Sequence, residues 1–311
     1  MIIVDAHCDT LTKIFDTGKK LYSNDCNLDI ERMHKRGKYV QFFAAFIHPK
    51  YYRGYTMERA IELIDRFYEE CKICSDDIMI CCNYNDIMMA INSGRVAAIL
   101  SIEGGEALQG SLAALRIFYK LGVRSLCLTW NHRNEIADGV AEDVSGGGLT
   151  NFGRKVIEEM NKLGMLIDLS HISERGFWDV MTLSQHPVIL SHSNAKAICN
   201  NRRNLTDEQI LEVKKNRGVI GINLYPYFLN EQGNLVITDI IKHIEYIISL
   251  TGENHIGIGA DYDQDEPVFD EIDGVEYIDN ILEELLKMNY SYNTVEKIAG
   301  DNFLRVINEV M

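Results

Sequence analysis

Six residues of metal-ligand type each stand directly after a short apolar run. His7 and Asp9 close the first run, in "MIIVDAHCDT". Glu103 closes "AAILSIEGG", His171 closes "LIDLSH", His192 closes "VILSHS" and Asp261 closes "IGIGAD". A polar group at the end of a buried strand costs several kcal/mol unless it finds a partner. A lone histidine or glutamate in such a place commonly has a hydrogen bond or a turn to serve. A recurrence over separate runs asks for a common partner, and a bound metal is one. Two histidines and two carboxylates fill one tetrahedral zinc site. Here the set is larger, which suits two metals, with Glu103 as the carboxylate able to bridge them. His7 and Asp9 would complete one side, and His171 and His192 the other. Imidazole with carboxylate favours Zn²⁺, with Mn, Fe or Co as alternatives.

The runs themselves set where these groups can meet. "IIVDAH", "YVQFFAAFI", "VAAILSIEG", "VRSLCLTW", "LIDLSH", "VILSHS", "VIGINLY" and "IGIGADYD" read as strands buried on both faces, as in parallel sheets. Amphipathic segments lie between them. "SLAALRIFYKLG" ends at Gly122, and "TNFGRKVIEEMNKLG" ends at Gly164. "LTDEQILEVKKNRG" has Thr206 as N-cap and Gly218 as its expected stop. Eight such strands alternating with helices predict a (β/α)8 TIM barrel. Its C-terminal mouth would collect all six residues. A doubly wound open sheet is the alternative, but no glycine-rich phosphate fingerprint follows the first run. Strict alternation along the first strand would put Asp5, His7 and Asp9 on one face, with Asp5 a layer deeper and structural. Cys8 would then face the helices.

Composition bounds the rest. The chain has 311 residues, 46% of them hydrophobic, with 4 Pro and no linker-like tract. One domain over 1–311 is expected, with a C-terminal helical tail. The net charge of -15 argues against binding nucleic acid or an anionic membrane surface. With no signal-peptide pattern and no run long enough to span a bilayer, a cytoplasmic location is expected. The 8 Cys are then expected as reduced thiols. Cys71 and Cys74 form a CxxC, but with Ile64 and Phe67 they follow helical spacing and read as apolar-face residues.

The chain resembles the zinc-dependent membrane dipeptidases, also called renal-type dipeptidases, among the amidohydrolase-like metal hydrolases. The resemblance lies in "DAHCD", "SIEGG", "GLTNFGRKVIEEMNKLGMLIDLSH", "PVILSHSNAKAICNNRRNL" and "IGIGADYD", and more weakly in "IAGDNFLRVINEV". It implies that the barrel is of metal-dependent hydrolase type and holds two zinc ions per chain, with His7 and Asp9 on one, His171 and His192 on the other, and Glu103 bridging. It implies hydrolysis of dipeptides, L-L and also L-D, by a hydroxide held between the metals, with Asp261 handling the proton. Arg203 would hold the substrate carboxylate, and Tyr225 would line the pocket. A homodimer also fits the resemblance, whereas the lipid anchor of the animal members does not carry over. One position departs: where those members have a histidine after the fourth strand, this chain reads "LTWNHRNE", with Trp130 in the place. Asn131 or His132 would then share that histidine's work on the substrate oxyanion, unless His132 is simply a solvated loop residue. Two other readings stay open: a different amidohydrolase-type activity on lactones or amides, and a metal-binding homologue with impaired catalysis.

Overall fold

The structure is a computed structural model, and it describes residues 1–51, 54–233, 236–264 and 274–311. Parallel strands form one closed barrel. In chain order they are β1 (Ile3–Cys8), β2 (Tyr39–Phe46), β3 (Val96–Glu103), β4 (Val123–Cys127), β5 (Leu166–Asp168), β6 (Ile189–Leu190), β7 (Val219–Ile222) and β8 (Ile256–Ile258). Each pairs with its sequence neighbour, and β8 returns to β1 through Asp5 and Ile258. The register of β2 on β3 runs from Val40↔Ala97 to Phe46↔Glu103. All the expected runs therefore form strands, surrounded by helices, in a TIM barrel.

One further strand was not legible. Ile78–Ile80 adds to the starting end of β3, pairing Ile78 with Val96. It is 3 residues long, too short to show a period. β5 and β6 are also shorter than their apolar runs, at 3 and 2 residues.

The barrel interior is filled by Val4, Ala6, Val40, Phe42, Ala97, Ile99, Leu166, Ile189 and Val219, one or two from the beginnings of β1, β2, β3, β5, β6 and β7. Phe303, Val306 and Ile307 of the helix Asn302–Val310 join this cluster and close the starting end of the barrel. Gly257 has no side chain because Phe303 lies there: a Cβ would sit 2.6 Å from its ring. The other face of each strand packs on the helices.

The alternation expected for β1 does not hold throughout. Its register on β2 slips between Asp5 and Cys8, a bulge. Val4 and Ala6 belong to the interior cluster, while Ile3 and Cys8 belong to the outer one. Asp5 thus shares the side of Ile3, and the extra residue turns His7 inward. Asp5 is structural, accepting the Ala260 N–H at 2.8 Å, and burial pushes its pKa up to about 6. Cys8 faces outward, as expected.

Helix ends follow their capping residues. Ser111 and Thr150 cap Leu112–Lys120 and Asn151–Leu163, and Gly164 closes the latter at φ 68°. Thr206 forms a reciprocal capping box with Gln209. The expected stop at Gly218 is displaced by one residue: Arg217 takes the left-handed position at φ 66°. Gly218 is required for a different reason, since a Cβ there would meet the Val188 carbonyl at 2.5 Å. Cys71 and Cys74 are buried against the core at the end of helix Thr56–Ile73, and all the cysteines are free thiols.

Phe303→Ala would open a cavity at the closed end of the barrel, far from the polar mouth. Such truncations cost about 3–5 kcal/mol, which urea denaturation should show as a lower midpoint with little change in slope.

Candidate metal centre and substrate cavity

The ends of the strands bring the six residues together. His7 is at the end of β1 and Asp9 just beyond it, and Glu103 is the last residue of β3. His171, His192 and Asp261 lie three, two and three residues past the ends of β5, β6 and β8. All six are buried. Gly221 and Gly259 permit the close strand approach that seats His192. A Cβ on either would come within 2.1 and 1.6 Å of the Ser191 carbonyl.

Glu103 is at the centre. Its Oε2 lies 3.3 Å from His7 Nε2. Its Oε1 lies 2.9 Å from His171 Nε2 and 3.8 Å from His192 Nε2. His7 Nε2 is also 3.9 Å from Asp9 and 3.7 Å from Asp261, yet it makes no hydrogen bond. Two groups able to hold a cation result, their ligand atoms within 4.8 Å of one another: His7 with Asp9 and Asp261, and Glu103 with His171 and His192.

The hydrogen bonds behind the histidines fix which nitrogen carries a proton. Asp168 accepts both the Ser170 and the Ser191 hydroxyls. The Ser191 oxygen is therefore left to accept from His192 Nδ1, at 2.7 Å. His171 Nδ1 donates to Asn131 Oδ1 at 2.9 Å. Both rings then present bare Nε2 lone pairs, and these face each other at 2.8 Å. Two lone pairs at that distance repel unless a cation lies against them. The donor set of imidazole nitrogens and carboxylate oxygens suits zinc or a similar divalent ion. Asp168 also falls within reach of His7 and His192, but its oxygens are taken by the two serines and by the Ser170 and Ser191 N–H groups.

Electrostatics agree with this division. Burial disfavours an imidazolium at His7, but Glu103, Asp9 and Asp261 outweigh burial and raise its pKa to about 10. The surplus of negative charge on that side is a pull for any cation. On the other side, burial and the nearby Arg203 guanidinium push His171 down to about 3. Burial, followed by the other histidines, pushes His192 well down too. Both rings stay neutral and able to ligate. Burial raises Glu103, but the charge on His7 overcomes this and holds it ionised. Burial raises the Asp261 pKa, and its Oδ2 accepts from Asn223 Nδ2 at 2.8 Å. Asp261 also sits in the left-handed region at φ 62°, an unfavourable conformation retained at the site.

Above these groups lies a cavity of about 460 Å³, lined by Asp9, Glu103, His171, Asp261, Arg203, Tyr225, Trp130 and Asn131 among others. His7 and His192 lie beneath its floor. Arg203 is buried, with Nη1 donating to the Ser170 carbonyl and Nη2 to that of His192 at 3.2 Å. Its Nε makes no hydrogen bond. His132 is the exception among the expected residues. It is exposed, does not line the cavity, and packs beside Trp130 at 5.7 Å between ring centroids.

Several participants were missed from sequence. Asp168 was visible as the one acid inside the buried run "LIDLSH". Ser170, Ser191 and Asn223 carried no signal, because their role depends on side chains from neighbouring strands. Phe46 was legible in principle, since it ends β2 at the position that yields Glu103 in β3.

A family model described as membrane dipeptidase, peptidase family M19, matches residues 1–311. Dipeptidase tcpJ of Claviceps purpurea is 32% identical over 257 residues, 82% of this chain and 60% of that protein. The chain thus spans about three fifths of the length of that curated relative. Among solved structures, a family M19 metallopeptidase described as dipeptidase AC superposes with a TM-score of 0.92 at 26% identity, covering 100% of this chain and 98% of its own. A metallopeptidase from Rhodobacter sphaeroides, bound to a phosphinate mimic of L-Ala-D-Ala, gives 0.91 at 26% identity, covering 100% and 99%. No helix among the described residues is long and apolar enough to cross a membrane. Because the match runs from the first residue to the last, the chain belongs to the membrane dipeptidase family, peptidase family M19, whose solved relatives here are metallopeptidases.

Proposed function

We propose that the protein is a metallo-dipeptidase that holds two zinc ions beneath the cavity and cleaves dipeptides of L-L and L-D configuration. The observation that carries this reading is Glu103, whose two oxygens face separate imidazole groups at 3.3 and 2.9 Å. The phosphinate mimic of L-Ala-D-Ala bound by the Rhodobacter sphaeroides relative supports an L-D substrate.

His7 and Asp9 would hold one ion, His171 and His192 the other, with Glu103 shared. When bound, such ions supply Lewis-acid polarisation of the scissile carbonyl and an acidified water. The chain's own groups do the rest. Arg203 pairs with the C-terminal carboxylate of the substrate, its guanidinium already aimed by the Ser170 and His192 carbonyls. A longer peptide has an amide at that point, so this contact measures substrate length. Asp261 takes a proton from the attacking water and passes it to the leaving amine; its raised pKa suits a group that must carry a proton briefly. Asn131 meets the cavity with its amide nitrogen, since its oxygen is engaged by His171. It is a better candidate than the exposed His132 for the work of the histidine that Trp130 replaces. Tyr225 and Trp130 shape the walls.

Protein purified without chelator should contain about two zinc ions per chain and hydrolyse a panel of L-L and L-D dipeptides. Chelation should abolish turnover, and zinc should restore it. Turnover of lactones without dipeptides would favour another amidohydrolase activity, and bound zinc without any turnover would favour a binding homologue. Arg203→Ala should lower kcat/KM for dipeptides by roughly 100-fold or more, and the variant should no longer prefer a free dipeptide over its amide. Ser191→Ala should weaken zinc retention about 10- to 100-fold in competition with a chelating dye, since it unties His192 from Asp168.

A further inference from the structure

We propose that Trp130 selects the N-terminal side chain of the substrate, favouring aromatic over small residues at that position. The inference rests on the dipeptidase reading and goes beyond it by naming which dipeptides the cavity prefers.

The argument is one of direction across the barrel mouth. Two aromatic walls line the cavity. One follows β6 and β7: Arg203 lies over the Phe228 ring at 5.4 Å, and Tyr225 packs on Phe228 at 4.8 Å. The other follows β2 and β4: Phe46 packs on Trp130 at 5.5 Å and on His48 at 6.0 Å. In a closed eight-stranded barrel, β3 and β7 are diametrically opposed, so these walls face each other. Glu103, at the end of β3, and His171 lie at the floor between them. A dipeptide whose carboxylate is on Arg203 and whose scissile bond lies over that floor has one direction left for its N-terminal residue. That direction ends at the wall formed by Phe46 and Trp130, of which the half-buried Trp130 is the more exposed member.

Trp130 is built to receive it. Phe46 is 6% exposed and backs the indole, while Trp130 itself is half-buried and lines the cavity. The loop that carries it is held at several points. Asn131 is tied to His171 through its side chain and accepts from the Ala141 N–H at 2.8 Å. Asn134 donates to Glu106 at 2.9 Å. Gly139 lies so close beneath that a Cβ would come within 2.2 Å of the Trp130 carbonyl. The indole is therefore positioned before substrate arrives, and little ordering remains to be done on binding. An aromatic side chain would cover its face and gain from ring–ring contact, whereas a methyl group would leave it wet.

The test compares kcat/KM for Phe-Gly and Ala-Gly in the zinc-loaded protein. The wild-type ratio is expected to exceed about ten-fold. In Trp130→Ala it should fall toward one, whatever the absolute rates, and in Trp130→Phe most of it should remain. A wild-type ratio near one, or a ratio unchanged in Trp130→Ala, overturns the inference while leaving the dipeptidase reading intact. Failure to cleave either dipeptide overturns both. Trp130→Ala could misfold, so fluorescence supplies a second measurement. The chain has 2 Trp, and Trp178→Phe leaves Trp130 as the sole indole. A phosphinate analogue of Phe-Gly should change its emission more than the Ala-Gly analogue does. Equal or absent changes overturn the inference.

Discussion

The mouth of this barrel is organised around one buried carboxylate. Glu103 is 3% exposed and faces histidines on both sides, with Asp9 and Asp261 close to one of them. Without a compensating cation such a cluster would be among the costliest features of the fold, since like charges and opposed lone pairs are held together out of water. Packing at the opposite end keeps these groups in register: the starting end of the barrel is a continuous apolar core, sealed by Phe303, Val306 and Ile307. Stability is supplied at one end of the strands and spent at the other.

The two candidate metal-binding histidines His171 and His192 are supported differently. His192 is oriented by a buried chain running through Ser191 to Asp168, all of it within the walls of adjacent strands. His171 is oriented by Asn131, which stands in the loop after β4 and also lines the cavity. One histidine is thus set by the scaffold and the other by a loop that lines the cavity. Trp130 shapes the cavity wall, whereas the hydrogen bond to His171 comes from the next residue, so the two are separable. This is how a barrel can vary its substrates while its chemistry stays in place: loops carry the difference and strand ends keep the machinery.

Much of this was determined locally and could be read from the chain. Strands buried on both faces must be continuously apolar, so the eight runs and the polar residues ending them were legible, and with them the barrel and the candidate ligands. Thr206 and Gly164 marked helix ends because capping is a matter of a few adjacent residues. What sequence did not determine depended on neighbours distant in the chain. Register decided that β1 bulges and turns His7, rather than Asp5, inward. Strand adjacency joined Asp168 to Ser191, and Asn223 to Asp261. Loop packing sent His132 to the surface and Trp130 into the cavity. Barrel closure set the wall of Arg203 and Tyr225 opposite that of Phe46 and Trp130, a relation between segments far apart in the chain. Residue type and period act over a turn or a strand, whereas facing, tautomer and direction across a cavity exist only once the sheet has closed.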